Sequence, residues 1–160
     1  MIRKARDCVA ELVRRRPLAR HGAETDIGGF RMVARGDLTA HLLTERNGAD
    51  HAAAIRLGPH DWLFVGTGEA MPAPRAPSTL FQDMTSAYAF IDVAGAGVVD
   101  RLGLAGLIGV GPPGFVTRLA DLRVVVGLDV EDADHVRIVV DRSSADYMWE
   151  WLAARLADIG

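Results

Sequence analysis

The six residues Gly95-Ala96-Gly97-Val98-Val99-Asp100 come nearest in this chain to a chemical motif. They follow a strand-like apolar run and open a helix-like one. In that context a glycine-rich turn can set a pyrophosphate on a helix N-terminus. Two details break the pattern. The sixth position is Asp100, whose charge would stand near the phosphates, and no second parallel strand follows with a ribose-binding acid. The segment reads as a tight strand-to-helix turn.

Other reactive residues are dispersed. His21, His41, His51, His60 and His135 form no H-x-H, H-E-x-x-H or His/carboxylate cluster along the chain. Each is read as a surface or turn histidine, with convergence in space left open. Ser78, Ser86, Ser143 and Ser144 lack the G-x-S-x-G elbow of serine hydrolases. Cys8 is the lone cysteine, so an internal disulfide and a multi-thiolate zinc site are both excluded. It has no histidine near it in sequence that would raise its nucleophilicity. Asp129, Glu131, Asp132 and Asp134 gather where a hairpin turn is expected and read as a solvated loop. No catalytic residues, no metal ligands and no bound cofactor are therefore expected of this chain.

The elements that carry these residues read as one α+β chain of 160 residues, enough to bury a core without staples. Hydrophobic residues make up 49% and charged ones 24%, as in a folded globular protein. No apolar run reaches the ~18 residues of a membrane span, and the basic start lacks the apolar stretch of a secretory signal. With one cysteine, a reducing cytoplasmic setting is expected. The basic residues are 17 Arg and Lys4, yet the net charge is −3, which argues against nucleic acid as a partner.

Residues 1–27 read as a basic amphipathic helix with a linker, and 28–160 as a single domain. Ile2, Ala5, Val9, Leu12 and Val13 share one helical face, with Arg3, Lys4, Arg14 and Arg15 largely outside it. Arg14–Arg16 oppose the helix dipole and Pro17 ends the helix. The segment is either a solvated helix packed on its own domain or a docking arm for an acidic partner.

Within the domain, residues 28–66 and 81–160 form two halves joined by the Pro-rich stretch 67–80. Phe30–Ala34 and Leu38–Thr44 flank Arg35-Gly36-Asp37 and read as a hairpin. A second hairpin runs through Gly58-Pro59-His60-Asp61. The later half offers strands at Ala87–Val93, Phe115–Leu119, Arg123–Leu128 and Val136–Val140, the last two joined as a hairpin. The closing helix has Ser143 as its expected cap, with Asp146 completing a capping box. Ala145, Met148, Trp149, Leu152, Leu156 and Ile159 form its apolar stripe. Tyr147 and Trp151 lie on another flank, which implies either wide burial or a surface for another chain.

Several segments together resemble a family. Ile55-Arg56-Leu57-Gly58-Pro59-His60-Asp61-Trp62-Leu63-Phe64 is similar to the "LGP-x-x-W-L" hairpin of the gamma subunits of heterotetrameric sarcosine oxidases. Asp83-Met84-Thr85-Ser86 resembles that family's "D-x-S/T" strand-turn element. The run Asp141-Arg142-Ser143 to Trp149-Glu150-Trp151-Leu152 resembles its closing "R-S-x-x-x-x-x-W-x-W-L" helix, and Pro17-Leu18-Ala19 its early "P-L-A". The chain departs from the family at 107–113, where a Cys-Pro-x-Asp-Leu segment is usual, and is shortened relative to it between Phe115 and Val126.

The resemblance implies two sheet-and-helix halves, as in the folate-binding aminomethyltransferase domain. It implies partners: a large alpha subunit with NAD and folate sites, a flavin-bearing beta subunit and a small zinc-binding delta subunit. FAD, FMN, NAD and tetrahydrofolate would then sit in those partners, which oxidise N-methyl amino acids such as sarcosine. The gamma chain would be structural, with Tyr147, Trp151, Arg3, Lys4, Arg14 and Arg15 as candidate contacts. The alternative is a stand-alone binder of a folate-like molecule.

Overall fold

The computed structural model describes residues 18, 23–45, 51, 53–67, 79–107, 114–128, 132 and 134–157. The expected N-terminal helix, with Arg3, Lys4, Arg14 and Arg15, lies outside the described residues, as does Cys8. Among the described residues ten strands run in chain order: β1 (Glu24–Ile27), β2 (Phe30–Ala34), β3 (Thr39–Glu45), β4 (Ile55–Arg56), β5 (Asp61–Gly66), β6 (Thr79–Asp83), β7 (Tyr88–Ala94), β8 (Gly114–Leu119), β9 (Leu122–Leu128) and β10 (His135–Asp141). Among the described residues two α-helices accompany them, α1 (Val98–Arg101) and α2 (Ala145–Ala157). Among the described residues no helix is long and apolar enough to cross a membrane.

The strands form a six-stranded sheet, β1-β2-β7-β10-β9-β8, and a four-stranded sheet, β4-β5-β3-β6. All described pairings are antiparallel. The two central strands, β7 and β10, are apolar on both faces because both faces are covered. One face carries Ala89, Ile91, Val93, Ile138 and Val140 into a core with Met148, Trp149, Leu152 and Leu156 of α2. The opposite face carries Phe90, Val125 and Val139 against Ala40, Ile55 and Leu63 of the smaller sheet. The result is three layers, helix on sheet on sheet, in which each fully buried Leu or Met contributes roughly 1.5–3 kcal/mol.

Two glycines permit close approaches between layers. Gly28, at φ +58° in the β1–β2 turn, leaves room for the end of α2; a Cβ there would meet Leu156 O at 2.6 Å. At Gly114 a Cβ would stand 2.3 Å from Val126 O and 2.8 Å from Ile55 Cδ1, where the two sheets meet at β8 and β4.

Several expectations hold. The hairpin through Gly58–Asp61 forms, with Leu57 N donating to Asp61 O at 2.8 Å. β9 and β10 pair as a hairpin does, and Ala145, Met148, Trp149, Leu152 and Leu156 are all buried.

Others are corrected. Phe30–Ala34 and the strand after Arg35-Gly36-Asp37 are not a hairpin, because β2 and β3 belong to different sheets. The chain changes layer at Arg35, whose N–H is bonded to Phe90 O of β7. β2 pairs instead with β7 and with β1, a strand within the stretch read as linker. Nor are 28–66 and 81–160 two sheet-and-helix units. The first contributes to both sheets, and the second sends β6 back to the smaller one. The helix entry also differs: Asp141, not Ser143, is the cap. Its Oδ1 accepts from Ser143 N at 2.8 Å and Ser143 Oγ at 2.5 Å, and these bonds lower its pKa. A turn of 3-10 helix, Arg142–Ser144, precedes α2 and displaces the predicted box.

Candidate functional site

The polar centre of the molecule lies in the middle of the larger sheet. Asp92 is at 5% exposure the buried charged residue among those described. Its place follows from register: Asp92 of β7 stands opposite Arg137 of β10 and Val33 of β2. Arg137 donates through Nε to Oδ1 at 2.7 Å and through Nη2 to Oδ2 at 2.9 Å. Arg35 Nη1 reaches the same Oδ2 at 2.7 Å, and His135 Nε2 lies 3.5 Å from it. Arg35 in turn grips Asp37, with Nε to Oδ1 at 2.8 Å and Nη2 to Oδ2 at 2.7 Å.

The electrostatics follow from these contacts. Burial alone would raise the pKa of Asp92. The hydrogen bonds from Arg137 and the charges of Arg137, His135 and Arg35 outweigh it, and the carboxyl lies below its ordinary value. Asp37 is lowered to about 2, chiefly by its hydrogen bond to Arg35. That bond also raises the Arg35 guanidinium. Asp92 and Asp37 therefore stay ionised near neutrality. The network fastens the crossover between the sheets and offers no carboxyl that would exchange a proton there.

Arg35 also lines a cavity of about 460 Å³ at the seam of the two sheets. Leu38, Tyr88 and Phe90 supply an apolar wall, with Asp83, Thr85 and Arg142 among its polar groups. Those groups are engaged. Asp83 Oδ1 accepts from Thr85 N at 2.8 Å, and hydrogen bonding with Thr85 lowers the Asp83 pKa. Thr85 Oγ1 accepts from Ala40 N at 3.0 Å, and Arg142 reaches Ser86 O at 3.5 Å. The cavity has the size and apolar lining of a small-molecule site.

The sequence candidates separate. Tyr147 is 54% exposed, whereas Trp151 is half-buried against the main core. That flank therefore has one packing aromatic and one presented to solvent. Leu107, the first residue of the divergent segment, is also exposed. The Gly95–Gly97 turn is a strand-to-helix turn, with Gly97 at φ +73° ahead of α1. Its Gly97 N–H is taken by Asp134 Oδ1 at 3.0 Å, where a phosphate would have bound. Asp134 thus ties the β9–β10 turn to this one, a role beyond solvation.

The histidines divide among three places, and His21 is outside the described residues. His41 stacks on Phe81, and His51 meets Trp62 and Phe64 edge-on, on the outer face of the smaller sheet. His51 also pairs with Glu45 at 3.2 Å. His60 is exposed in the β4–β5 turn, and His135 joins Asp92. Among the described residues no three His, Cys, Asp or Glu side chains gather as a metal would need. The Asp92 network went unnoticed in the sequence. Its one signal was a charge in the middle of each of two apolar strands, Asp92 in Tyr88–Ala94 and Arg137 in His135–Asp141.

No family model and no curated protein matches the sequence. The fold does have a counterpart. The chain is similar to a chain of the heterotetrameric sarcosine oxidase from Corynebacterium sp. U-96, solved in complex with pyrrole 2-carboxylate. The TM-score is 0.67 at 15% sequence identity, over 91% of this chain and 96% of that one. The likeness is one of fold, it runs almost end to end, and the two chains are of similar length.

Proposed function

We propose that the chain is a gamma-type, non-catalytic subunit of a heteromeric, flavin-dependent complex that oxidises N-methyl amino acids, with a structural role in assembly. One observation carries this reading. A chain of a four-chain oxidase shares this fold along 96% of its own length, so the match is to a whole component rather than to a domain of a larger chain. The partners are then alpha and beta subunits, with a delta subunit where one exists, in the cytoplasm. FAD, FMN, NAD and tetrahydrofolate belong to those partners. Tyr147 supports the reading locally, since a solvent-exposed aromatic on a rigid helix is a common interface anchor. Trp151 behind it would hold the helix in place, and Arg3, Lys4, Arg14 and Arg15 would supply a second, basic contact. Co-expression with the products of adjacent genes tests this: a flavoprotein retained by the tagged chain is expected, and a chain that retains nothing contradicts it.

The seam cavity favours a second reading, a folate-like ligand held in an aminomethyltransferase-like fold. Tyr88 and Phe90 would face a flat ring, and Asp83 is the carboxylate that lines the space. Tetrahydrofolate at about 100 times its Kd would stabilise the chain by about 2.7 kcal/mol. No shift in unfolding temperature at saturating ligand removes this alternative.

A further inference from the structure

We infer that the end of the β8–β9 hairpin, where Arg118 and Arg123 stand opposite each other beside Arg56, docks an acidic segment of a partner protein. This inference stands apart from the assembly reading, because it concerns a face other than that of Tyr147 and requires no flavoprotein.

Strand register places the group. Arg118 of β8 is the direct partner of Arg123 of β9, one pair in from the Leu119–Leu122 pair that closes the hairpin. Leu119, Leu122 and Val124 point to the core under α2. The arginines alternate with them and so share the face of Val116 and Val125, which pack toward the smaller sheet. Arg56, Arg118 and Arg123 are all exposed. Arg123 Nη2 donates to Leu57 O at 3.3 Å, and Arg56 Nε donates to Gly58 O at 3.2 Å. These two heads fall on consecutive carbonyls of the β4–β5 turn, and Arg118 joins them from across the hairpin.

The charges of this group are unmatched. Arg31, Arg35 and Arg137 each meet a carboxylate. Among the described residues Arg56, Arg118 and Arg123 form no ion pair. The acids nearby are bonded otherwise. Arg118 Nη2 donates to the backbone oxygen of Asp121 at 2.8 Å, and Asp61 Oδ1 accepts from Thr44 Oγ1 at 2.7 Å. Like charges directly opposite on antiparallel strands are destabilising, so folding alone does not favour the Arg118–Arg123 pair. One charge on β8 would protect that edge strand from pairing with another chain. Protection of the edge does not account for Arg123 on the inner strand β9, or for Arg56 on β4.

The chemistry of the group selects the partner. A guanidinium carries five N–H donors, and each of these arginines gives one to a backbone carbonyl. The donors left over match carboxylates in fork geometry. Exposed forks spread over two strands and a turn suit carboxylates spaced along a polypeptide better than one small anion. Nucleic acid calls for a longer run of phosphate contacts, and the net charge of −3 works against it.

The test uses the full chain and a fluorescein-labelled oligoglutamate peptide, followed by anisotropy at low and at physiological ionic strength. A single-stranded oligonucleotide of equal charge is the comparison. Saturable peptide binding is expected, weakened by salt and at least tenfold tighter than the oligonucleotide. Arg118→Glu should weaken it tenfold or more, and Arg56→Gln should weaken it measurably. Arg31→Gln, which alters an exposed arginine already paired with Glu24, should leave it unchanged. Arg118→Glu should also raise the urea midpoint, since it turns a like-charge pair into an opposite-charge one. The proposal is overturned by absence of saturable binding, by preference for the oligonucleotide, or by binding that survives Arg118→Glu. An equal loss in Arg31→Gln, or a midpoint that does not rise in Arg118→Glu, overturns it as well.

Discussion

Arg137 holds both oxygens of Asp92 across paired strands, at 2.7 and 2.9 Å, between the two central strands of the larger sheet. Arg35 completes the clasp from the segment where the chain leaves the larger sheet for the smaller one. The charges therefore fix a change of layer that apolar packing alone would leave loosely specified. Removing the carboxylate leaves two guanidiniums facing each other without their shared counter-ion. Asp92→Asn is expected to lower stability by about 2–4 kcal/mol, less than a fully buried pair because both arginines keep some access to water. Urea unfolding of the two proteins at neutral pH measures it.

The same carboxylate sets an acid limit. The folded pKa of Asp92 lies below its unfolded value of about 3.9, so its contribution is fully present above the unfolded value. That contribution is lost as pH falls through the folded value. Stability should fall as pH drops below about 4, more steeply in the wild type than in Asp92→Asn. Urea midpoints at intervals from neutrality to pH 3 give both slopes; equal slopes contradict the assignment.

The strand order explains what could be read from the sequence and what could not. Strands with strong apolar runs, such as Tyr88–Ala94 and Leu122–Leu128, were legible, as was the stripe Met148-Trp149-Leu152-Leu156 of α2. Local turn chemistry foretold the Gly58–Asp61 hairpin and the Gly95–Gly97 turn. Pairing was harder, because Arg35-Gly36-Asp37 has the look of a hairpin turn while its role is set by Asp92, far along the chain. Glu24–Ile27 and Thr79–Asp83 are edge strands with mixed polarity, so alternation gives little signal. The seam cavity was not visible, since its lining comes from segments distant in sequence.

Turn geometry yields a stabilising substitution. Ala120 and Asp121 connect β8 and β9 with φ of 51° and 64°, the left-handed pair of a two-residue hairpin loop. Alanine is poorly suited to that region. Ala120→Gly is expected to be neutral or to stabilise the chain by up to about 1 kcal/mol, with Ala120→Asn close behind. Thermal unfolding reads this as a rise of a few degrees at most.

The two aromatics of α2 should respond differently to truncation. Trp151→Ala removes a ring packed on the core and is expected to cost about 2–3 kcal/mol. Tyr147→Ala should change stability by less than about 0.5 kcal/mol, because the side chain is exposed. Its effect should appear instead in affinity for a partner, as a loss of tenfold or more. Denaturant curves and a binding titration on the same variants separate the two roles.

The assembly proposal is tested most directly by the mass of what forms around this chain. Co-expressed with the products of the genes adjacent to its own and purified through a tag on this chain alone, it should elute as one species carrying bound flavin. Native mass spectrometry should give equal copies of each chain, and Tyr147→Arg should reduce the yield of that species. A tagged chain that elutes as a flavin-free monomer, with its neighbours expressed and soluble, contradicts the account.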